Sequence, residues 1–359
     1  MSEGKYYGLI LAGGRGTRFW PRSRKRRAKQ VLQVTGERTL IQATIDRLRP
    51  LIPPERIWIL TNDFVREEIV RQLPEVPEAQ IISEPAQRNT APAIALAAHI
   101  LESIDPDAVF GVFPSDAVIG MPERFVEAAR RVFAEAEKGL IGVLGIQPRR
   151  ADTAFGYIEF PEGTAADAGK IIPVLEFQEK PRPEVAEKYF AAGNYFWNAG
   201  MFFWKASTVL DAMRMYEPAT ADLIAQLPAF SDPGFMAKLE EVFPQCRNVS
   251  VDYAILEHAK NVVGIACEEF GWNDVGSWDA VYDLLPEDAE KNAGRSEILS
   301  LGSTGNYVDC GKKLVALVDV KDLIIVDTPD ALLIADRKSA QKIGEVVKAL
   351  EEKKREELL

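Results

Sequence analysis

An apolar run at residues 6–11 flows into Ala12-Gly13-Gly14-Arg15-Gly16-Thr17-Arg18. Three glycines fall within four positions there. Glycine tolerates positive φ and lets the backbone approach a ligand closely. Successive backbone N–H groups in such a loop hold phosphate oxygens, and Arg15 and Arg18 would add charge-assisted hydrogen bonds. Two commoner glycine-rich loops are excluded by spelling. A P-loop ends in Gly-Lys-Ser/Thr, whereas this loop ends Gly16-Thr17-Arg18. A dinucleotide fingerprint needs a third glycine where Phe19 stands. Residues 22–29 then hold six basic side chains in eight positions. A solvated loop and a nuclear-localisation patch are the plain readings of such a run. The chain as a whole is acidic, with 43 basic and 54 acidic residues and a net charge of −11. Cations gathered beside a glycine loop in such a chain fit a polyphosphate substrate, which brings about four negative charges.

The motif does not stand alone. Residues 11–23, followed by Ala28-Lys29-Gln30, resemble the signature of nucleotide-sugar pyrophosphorylases, and within that group the mannose-1-phosphate guanylyltransferases. Residues 84–93, 113–116, 155–159, 177–181, 197–200, 251–254 and 272–278 match further motifs of that family, in order. The most specific are Arg88-Asn89-Thr90-Ala91-Pro92 and Trp272-Asn273-Asp274-Val275-Gly276-Ser277-Trp278. Two positions depart from the pattern. Ala28 stands where a proline usually precedes the lysine, which alters loop stiffness more than chemistry. Ala117 stands where a histidine usually follows Pro-Ser-Asp, so any imidazole contact is lost.

The resemblance implies transfer of GMP from GTP to α-D-mannose 1-phosphate, giving GDP-mannose and pyrophosphate by in-line displacement. The attacking phosphate is already anionic, so no general base is needed. Catalysis reduces to holding two anions together and stabilising developing charge. It implies a divalent cation, Mg²⁺ or a similar ion, held by Asp116 and Asp274, in keeping with the few carboxylates Mg²⁺ takes. Leu11, Ala12, Gly13, Gly14, Arg15, Gly16, Thr17 and Asp116 are implied on the nucleotide, with Glu84, Arg88, Asn89 and Thr90 on its base side. Arg18, Lys29 and Lys180 would neutralise the reacting phosphates, Lys180 from the sugar side. Gly156, Glu159, Asn198, Gly200 and Asp252 would grip the sugar. Residue by residue, plainer readings stay open. Asp116 would otherwise be a loop or capping residue and Asp274 a turn residue. Asn89 or Thr90 would cap a helix starting near Ala91, and Asp252 a helix over 253–259. Trp197, Trp272 and Trp278 pack on a ring or belong to the core. His99 and His258 read as structural.

These groups need elements to position them. Apolar runs at 6–11, 56–60, 80–82, 108–113 and 141–146 read as strands. Three- and four-residue apolar steps at 40–48, 63–73, 91–104 and 123–137 read as helices between them. The alternation predicts an α/β fold, a Rossmann-like, mostly parallel sheet flanked by helices. The loops after Leu11 and Phe113 would sit at its ligand-binding edge. Residues 170–177 and 201–204 read as strands and 206–227 as one helix. A polar stretch from Pro286 divides a catalytic domain, 1–285, from a small C-terminal module, 286–359. That module reads as β-rich and β-helix-like at 314–318, 323–326 and 331–334, with a charged terminal helix over 339–359.

Composition narrows the remainder. Cys246, Cys267 and Cys310 are too few and too scattered for a disulfide framework or zinc site. An acidic chain is a poor nucleic-acid binder. No apolar run reaches the ~18 residues of a membrane span, and no leader peptide is visible. A cytoplasmic homodimer, supported by the C-terminal module, is the expectation, without the isomerase module of longer relatives. Two alternatives remain: another pair, such as dTTP with glucose 1-phosphate, or a catalytically silent regulator that binds nucleotide-sugar.

Overall fold

The computed structural model describes residues 5–166 and 169–359. Its centre is a mixed, mostly parallel sheet. Strands β1 (Tyr7–Leu11), β2 (Ile57–Thr61), β3 (Ile81–Ser83) and β4 (Val109–Pro114) pair in parallel in the order β3-β2-β1-β4. A short strand β5 (Val118–Ile119) leaves the sheet, and β6 (Ile141–Ile146) re-enters it. The edge carries β7 (Tyr157–Glu159), β8 (Ile172–Pro173) and β9 (Glu176–Gln178). The long β10 (Tyr195–Lys205) runs antiparallel between β4 and β6. β11 (Val262–Cys267) then pairs parallel to β6. Alternation sends Leu9 and Ile10 to opposite faces, one into a cluster with Leu96 and Phe110, the other into one with Ile45 and Ile59. Helices Thr90–Ile104 and Pro122–Ala136 cover these faces and keep the strands dry.

Register positions the functional loops. β1 pairs with β4 so that Leu11 lies beside Pro114, and the Ser115 N–H donates to the Leu11 carbonyl at 3.2 Å. The glycine loop and Asp116 therefore leave the sheet at the same edge. β5 pairs with β12 (Trp272–Asn273), Ile119 against Trp272 and Val118 against Asn273. That two-residue ribbon carries Asp274 to the side of Asp116. It needs glycine at 271, where φ is +71° and a Cβ would lie 2.8 Å from the Gly120 Cα.

The second half differs from its sequence pattern in four places. Residues 170–177 form two short strands, β8 and β9, on different partners rather than one. The strand read at 201–204 begins at Tyr195, and its register shifts between Asn198 and Phe202, where Gly200 adopts φ +68°. Pro218 splits the helix read over 206–227 into Ala206–Tyr216 and Pro218–Ile224, since proline lacks the N–H the helix needs. At the C-terminus only Ile343–Glu352 is α-helical, between tighter turns.

The C-terminal strands stack as parallel coils. β13 (Ala293–Gly294), β15 (Tyr307–Asp309) and β17 (Leu323–Asp327) form one ladder, closed by antiparallel β18 (Leu332–Asp336). β14 (Ile298–Leu301) and β16 (Val315–Val318) form another. Asn292 and Asn306 are buried between coils, with the Asn306 amide donating to Asn292 Oδ1 at 2.8 Å. A third buried cluster joins these coils to the loops that follow β1 and β12: Phe19, Trp20, Val275, Trp278, Tyr307 and Ile343 share it. No helix among the described residues is long and apolar enough to cross a membrane.

Trp278 is the keystone of that cluster. Its ring lies 5.4 Å from Tyr307, and its indole N–H donates to the Trp20 carbonyl at 3.1 Å. Trp278→Ala should lower unfolding free energy by about 3–5 kcal/mol, as truncation of a buried aromatic does. Urea titration followed by far-UV circular dichroism checks this, and a loss under about 1 kcal/mol would mean the cluster is not a structural joint.

Candidate active site

The site is built around Lys29. The turn at Lys29–Val31 buries this side chain to 6% exposure, under the glycine loop. Its ammonium donates to Asp116 Oδ2 at 2.8 Å and to the Asp274 backbone carbonyl at 2.8 Å. A buried ammonium must be paired to persist, so one cation ties three distant segments together. Gly16 makes room for it. At φ +61°, a Cβ there would lie 2.4 Å from the Lys29 Cβ.

A cleft of about 450 Å³ opens beside this knot. Leu11, Gly13, Gly14 and Gly16 form one wall, and Glu84, Arg88, Asn89 and Thr90 another. Lys29 and Asp116 close one end. Ala12 is buried beneath the cleft, its carbonyl accepting from Gln30 and from Thr61. Asn89 caps the helix it precedes, Oδ1 accepting from the Thr90 N–H at 2.9 Å. Thr90 Oγ1 accepts from the Val251 N–H at 2.9 Å, which fastens this wall to residues 249–251.

A smaller cleft of about 230 Å³ adjoins it, with Asp116 lining both. Asp274, Gly156, Asn198, Gly200 and Asp252 line the smaller one. The bulge in β10 aims Asn198 inward, and its amide donates to Asp252 Oδ1 at 3.0 Å. Asp252 opens a wide turn, in which its carbonyl accepts from the Glu257 N–H, rather than capping a helix. Burial, then the neighbouring Glu179 charge, raises the Asp252 carboxyl to about 7. A Cβ on Gly156 would lie 2.4 Å from Glu179 Oε2, so a side chain there would push that carboxylate aside.

Some expected residues stand elsewhere. Glu159 is on the far side of the edge strands, near Asn194 and Tyr195. Lys180 is outside the smaller cleft, exposed, with its ammonium on Glu179 Oε1 at 2.6 Å. Burial would lower its pKa, but Glu179 and then Asp252 hold it above the ordinary lysine value. Arg15 turns away from the main cleft to Glu351, and Arg18 to Gln341. Arg18 lines a third hollow, which reaches the other side of Asp274. Thr17 lies under the terminal helix, near Gly344.

The basic run is also redirected. Arg22 pairs with Asp309, Arg24 with Asp330 and Lys25 with Glu356. These acids lie in the C-terminal coils and tail, so half of the run binds protein, and of its six cations Lys29 lines the larger cleft. Residues that motif reading passed over do line the clefts: Gln30, Gln87, Ser115 and Asn248 in the larger, Phe155 and Glu179 in the smaller. Glu179 adjoins Lys180 in its motif and was within reach of the pattern. Asn248 carries no such signal. Arg47, also unforeseen, donates to the Ala117 carbonyl at 2.9 Å. Burial lowers it to about 10, opposed by the Asp116 charge.

Asp116 and Asp274 are a candidate cation site. Burial raises the Asp274 carboxyl, with Lys29 opposing and Asp116 adding to the rise. Two carboxylates that border one cleft and repel each other fit a hard divalent ion that takes its other ligands from phosphates and water. No group of three or more acidic, histidine or cysteine ligands occurs among the described residues.

Glu84 is the other unbalanced acid. Burial lifts its carboxyl from 4.5 to about 8. An acid raised on folding costs stability as pH climbs above its unfolded value, and the loss levels off above its folded one. Stability should therefore decline through this group between pH 4.5 and about 8. Glu84→Gln should melt about 4 °C or more above the parent at pH 8.5, with the gap closing near pH 4.5. Calorimetry across that range checks it. A gap that does not change with pH would show that Glu84 is not held neutral.

Known proteins resemble this chain over nearly its whole length. Residues 7–291 match the nucleotidyl transferase family, and residues 296–350 the mannose-phosphate isomerase/GMP-like β-helix domain. The chain is 37% identical over 358 residues to a mannose-1-phosphate guanylyltransferase of Escherichia coli K12, covering 98% of this chain and 74% of that one. It is 36% identical over 353 residues to the xanthan biosynthesis protein XanB of Xanthomonas campestris strain B100, covering 97% and 74%. A solved structure from Thermus thermophilus, described as a mannose-1-phosphate geranyltransferase, superposes with a TM-score of 0.86 at 32% identity, covering 97% of this chain and 99% of that one.

Proposed function

The chain belongs to the nucleotidyl transferase family, among its mannose-1-phosphate guanylyltransferases, and from that premise we propose how its residues divide the work. The reaction transfers GMP from GTP to α-D-mannose 1-phosphate. A phosphate oxygen of the sugar phosphate bonds to the α-phosphorus as its bond to pyrophosphate breaks. The observation that carries the assignment of roles is the pair of adjoining clefts that meet at Asp116, beside a buried lysine.

GTP takes the larger cleft. The N–H groups around Gly13, Gly14 and Gly16 receive the phosphates, and Lys29 neutralises charge near the reacting centre. Glu84, once ionised, accepts the two parallel donors on the Watson–Crick edge of guanine. Bases without that pair of donors leave the buried carboxylate unsatisfied. Mannose 1-phosphate takes the smaller cleft, where Asn198, Asp252 and Glu179 accept from or donate to its hydroxyls. Lys180 swings from Glu179 onto the sugar phosphate, and Arg18 adds positive charge from the hollow beside Asp274. Asp116 and Asp274 would hold a Mg²⁺-type cation, which when bound offsets the charge of both phosphates. The chain's own task is orientation, which alone supplies several kcal/mol.

Pyrophosphate release from a panel of nucleoside triphosphates and sugar 1-phosphates tests this, with Asp274→Asn beside the parent. GTP with mannose 1-phosphate should be fastest, and Asp274→Asn should lose on the order of 100-fold or more with the fold intact. Turnover with dTTP but not GTP would overturn the substrate assignment. Tight GDP-mannose binding without turnover would make the parent a regulator.

A second copy of the chain is the partner we infer. Leu299 and Leu301 pair beside Ala316 and Val318, and the three large side chains are over half exposed on one face of the coils. Leu301→Asp should sediment as a monomer where the parent sediments as a dimer. A parent that sediments as a monomer at micromolar concentration would remove the inference.

A further inference from the structure

The terminal segment grips the glycine loop from outside the clefts. Helix Ile343–Glu352 lies against the turn Thr17–Phe19. It comes so close that a Cβ on Gly344 would meet Thr17 Oγ1 at 3.3 Å and Arg18 Cγ at 3.8 Å. Ile343, Val347 and Leu359 are buried in the cluster that holds Phe19 and Trp20. The Trp20 indole N–H donates to the Leu358 carbonyl at 3.0 Å. The segment is therefore docked by apolar burial, independently of its charges.

Two polar contacts reach the loop's cations from this docked segment. Arg18 Nη1 donates to Gln341 Oε1 at 2.6 Å, and Arg15 Nη2 donates to Glu351 Oε1 at 2.7 Å. The two contacts differ in kind. Gln341 is neutral, so it fixes the direction of the Arg18 guanidinium and leaves its charge available. It does so in the hollow that also reaches Asp274. Glu351 forms an ion pair in which both side chains are about 40% exposed, 41% and 38%. A pair so exposed adds little stability, but it anchors the tip of a loop whose glycines leave the backbone loose.

We propose that the C-terminal segment is a positioning element of the nucleotide site: Gln341 aims Arg18, and Glu351 anchors Arg15, so that the phosphate loop is set before the nucleotide arrives. A preset loop loses less conformational freedom on binding, and the saving appears as affinity for the triphosphate. The sugar phosphate, bound in the other cleft, gains nothing from it. The inference rests on the reading of the glycine loop as the triphosphate site.

The test uses the full chain and the double variant Gln341→Ala/Glu351→Ala. KM for GTP should rise roughly tenfold, with KM for mannose 1-phosphate within about twofold of the parent. Hydrogen exchange of the amides of residues 13–18 should quicken in the nucleotide-free variant, with the melting temperature unchanged. Two results would overturn the proposal. One is an unchanged KM for GTP with unchanged exchange. The other is a rise in both KM values together with a fall in melting temperature, which marks a merely structural role. A parent chain that does not turn over GTP would defeat the functional reading instead, and the exchange measurement would still decide the inference.

Discussion

One buried ammonium organises this protein. Lys29 sits beneath the glycine loop and donates at once to the Asp116 carboxylate and the Asp274 backbone. The lysine and its two partners arrive from three different elements: the loop after β1, the end of β4, and the ribbon of β5 with β12. A charge in that position cannot be left unpaired without a large desolvation penalty. The three elements are therefore constrained to meet, and the place where they meet is the place where two clefts join. Glycine at position 16 is a consequence, since any side chain there would occupy the space of the lysine.

The clefts are lined by acids that folding does not balance. Glu84 is raised by burial alone, and Asp252 by burial and the Glu179 charge. Asp274 is raised by burial against the pull of Lys29. A core optimised for stability would replace such groups or pair them. Their positions follow a different logic. Under the proposed division of roles, each carboxylate is an acceptor for a donor or cation that the substrates bring, and stability given up in the empty state is regained as binding specificity.

The same compromise explains the C-terminal coils. The glycine loop cannot be both permissive and self-ordered, because the glycines that open its backbone also raise its conformational entropy. Order is imported. Phe19 and Trp20 anchor its downstream end in a cluster with Trp278, Tyr307 and Ile343, and Val275 anchors the Asp274 loop in the same cluster. Arg22, Arg24 and Lys25 add ion pairs to Asp309, Asp330 and Glu356. Both arms of the site thus stand on the C-terminal part of the chain, and half of the basic run that looks made for phosphate is a clasp for protein.

Local pattern decided a great deal. The alternation of apolar runs fixed the parallel half of the sheet, because strand and helix periods are set by neighbours in sequence. The spacing of Gly13, Gly14 and Gly16, and the nearness of Lys29, marked a loop that lines the larger cleft for the same reason. Short or broken elements left no such record. The ribbon that brings Asp274 to Asp116 is two residues on each side, too short for any periodicity. The inward aim of Asn198 depends on a bulge, and the separation of Glu159 from the smaller cleft depends on which edge strand it joined. Nothing near Arg15, Arg18 or Arg22 in sequence announces Glu351, Gln341 or Asp309. Those partners are chosen by where the terminal segment packs, and only the balance of apolar burial across the whole chain determines that.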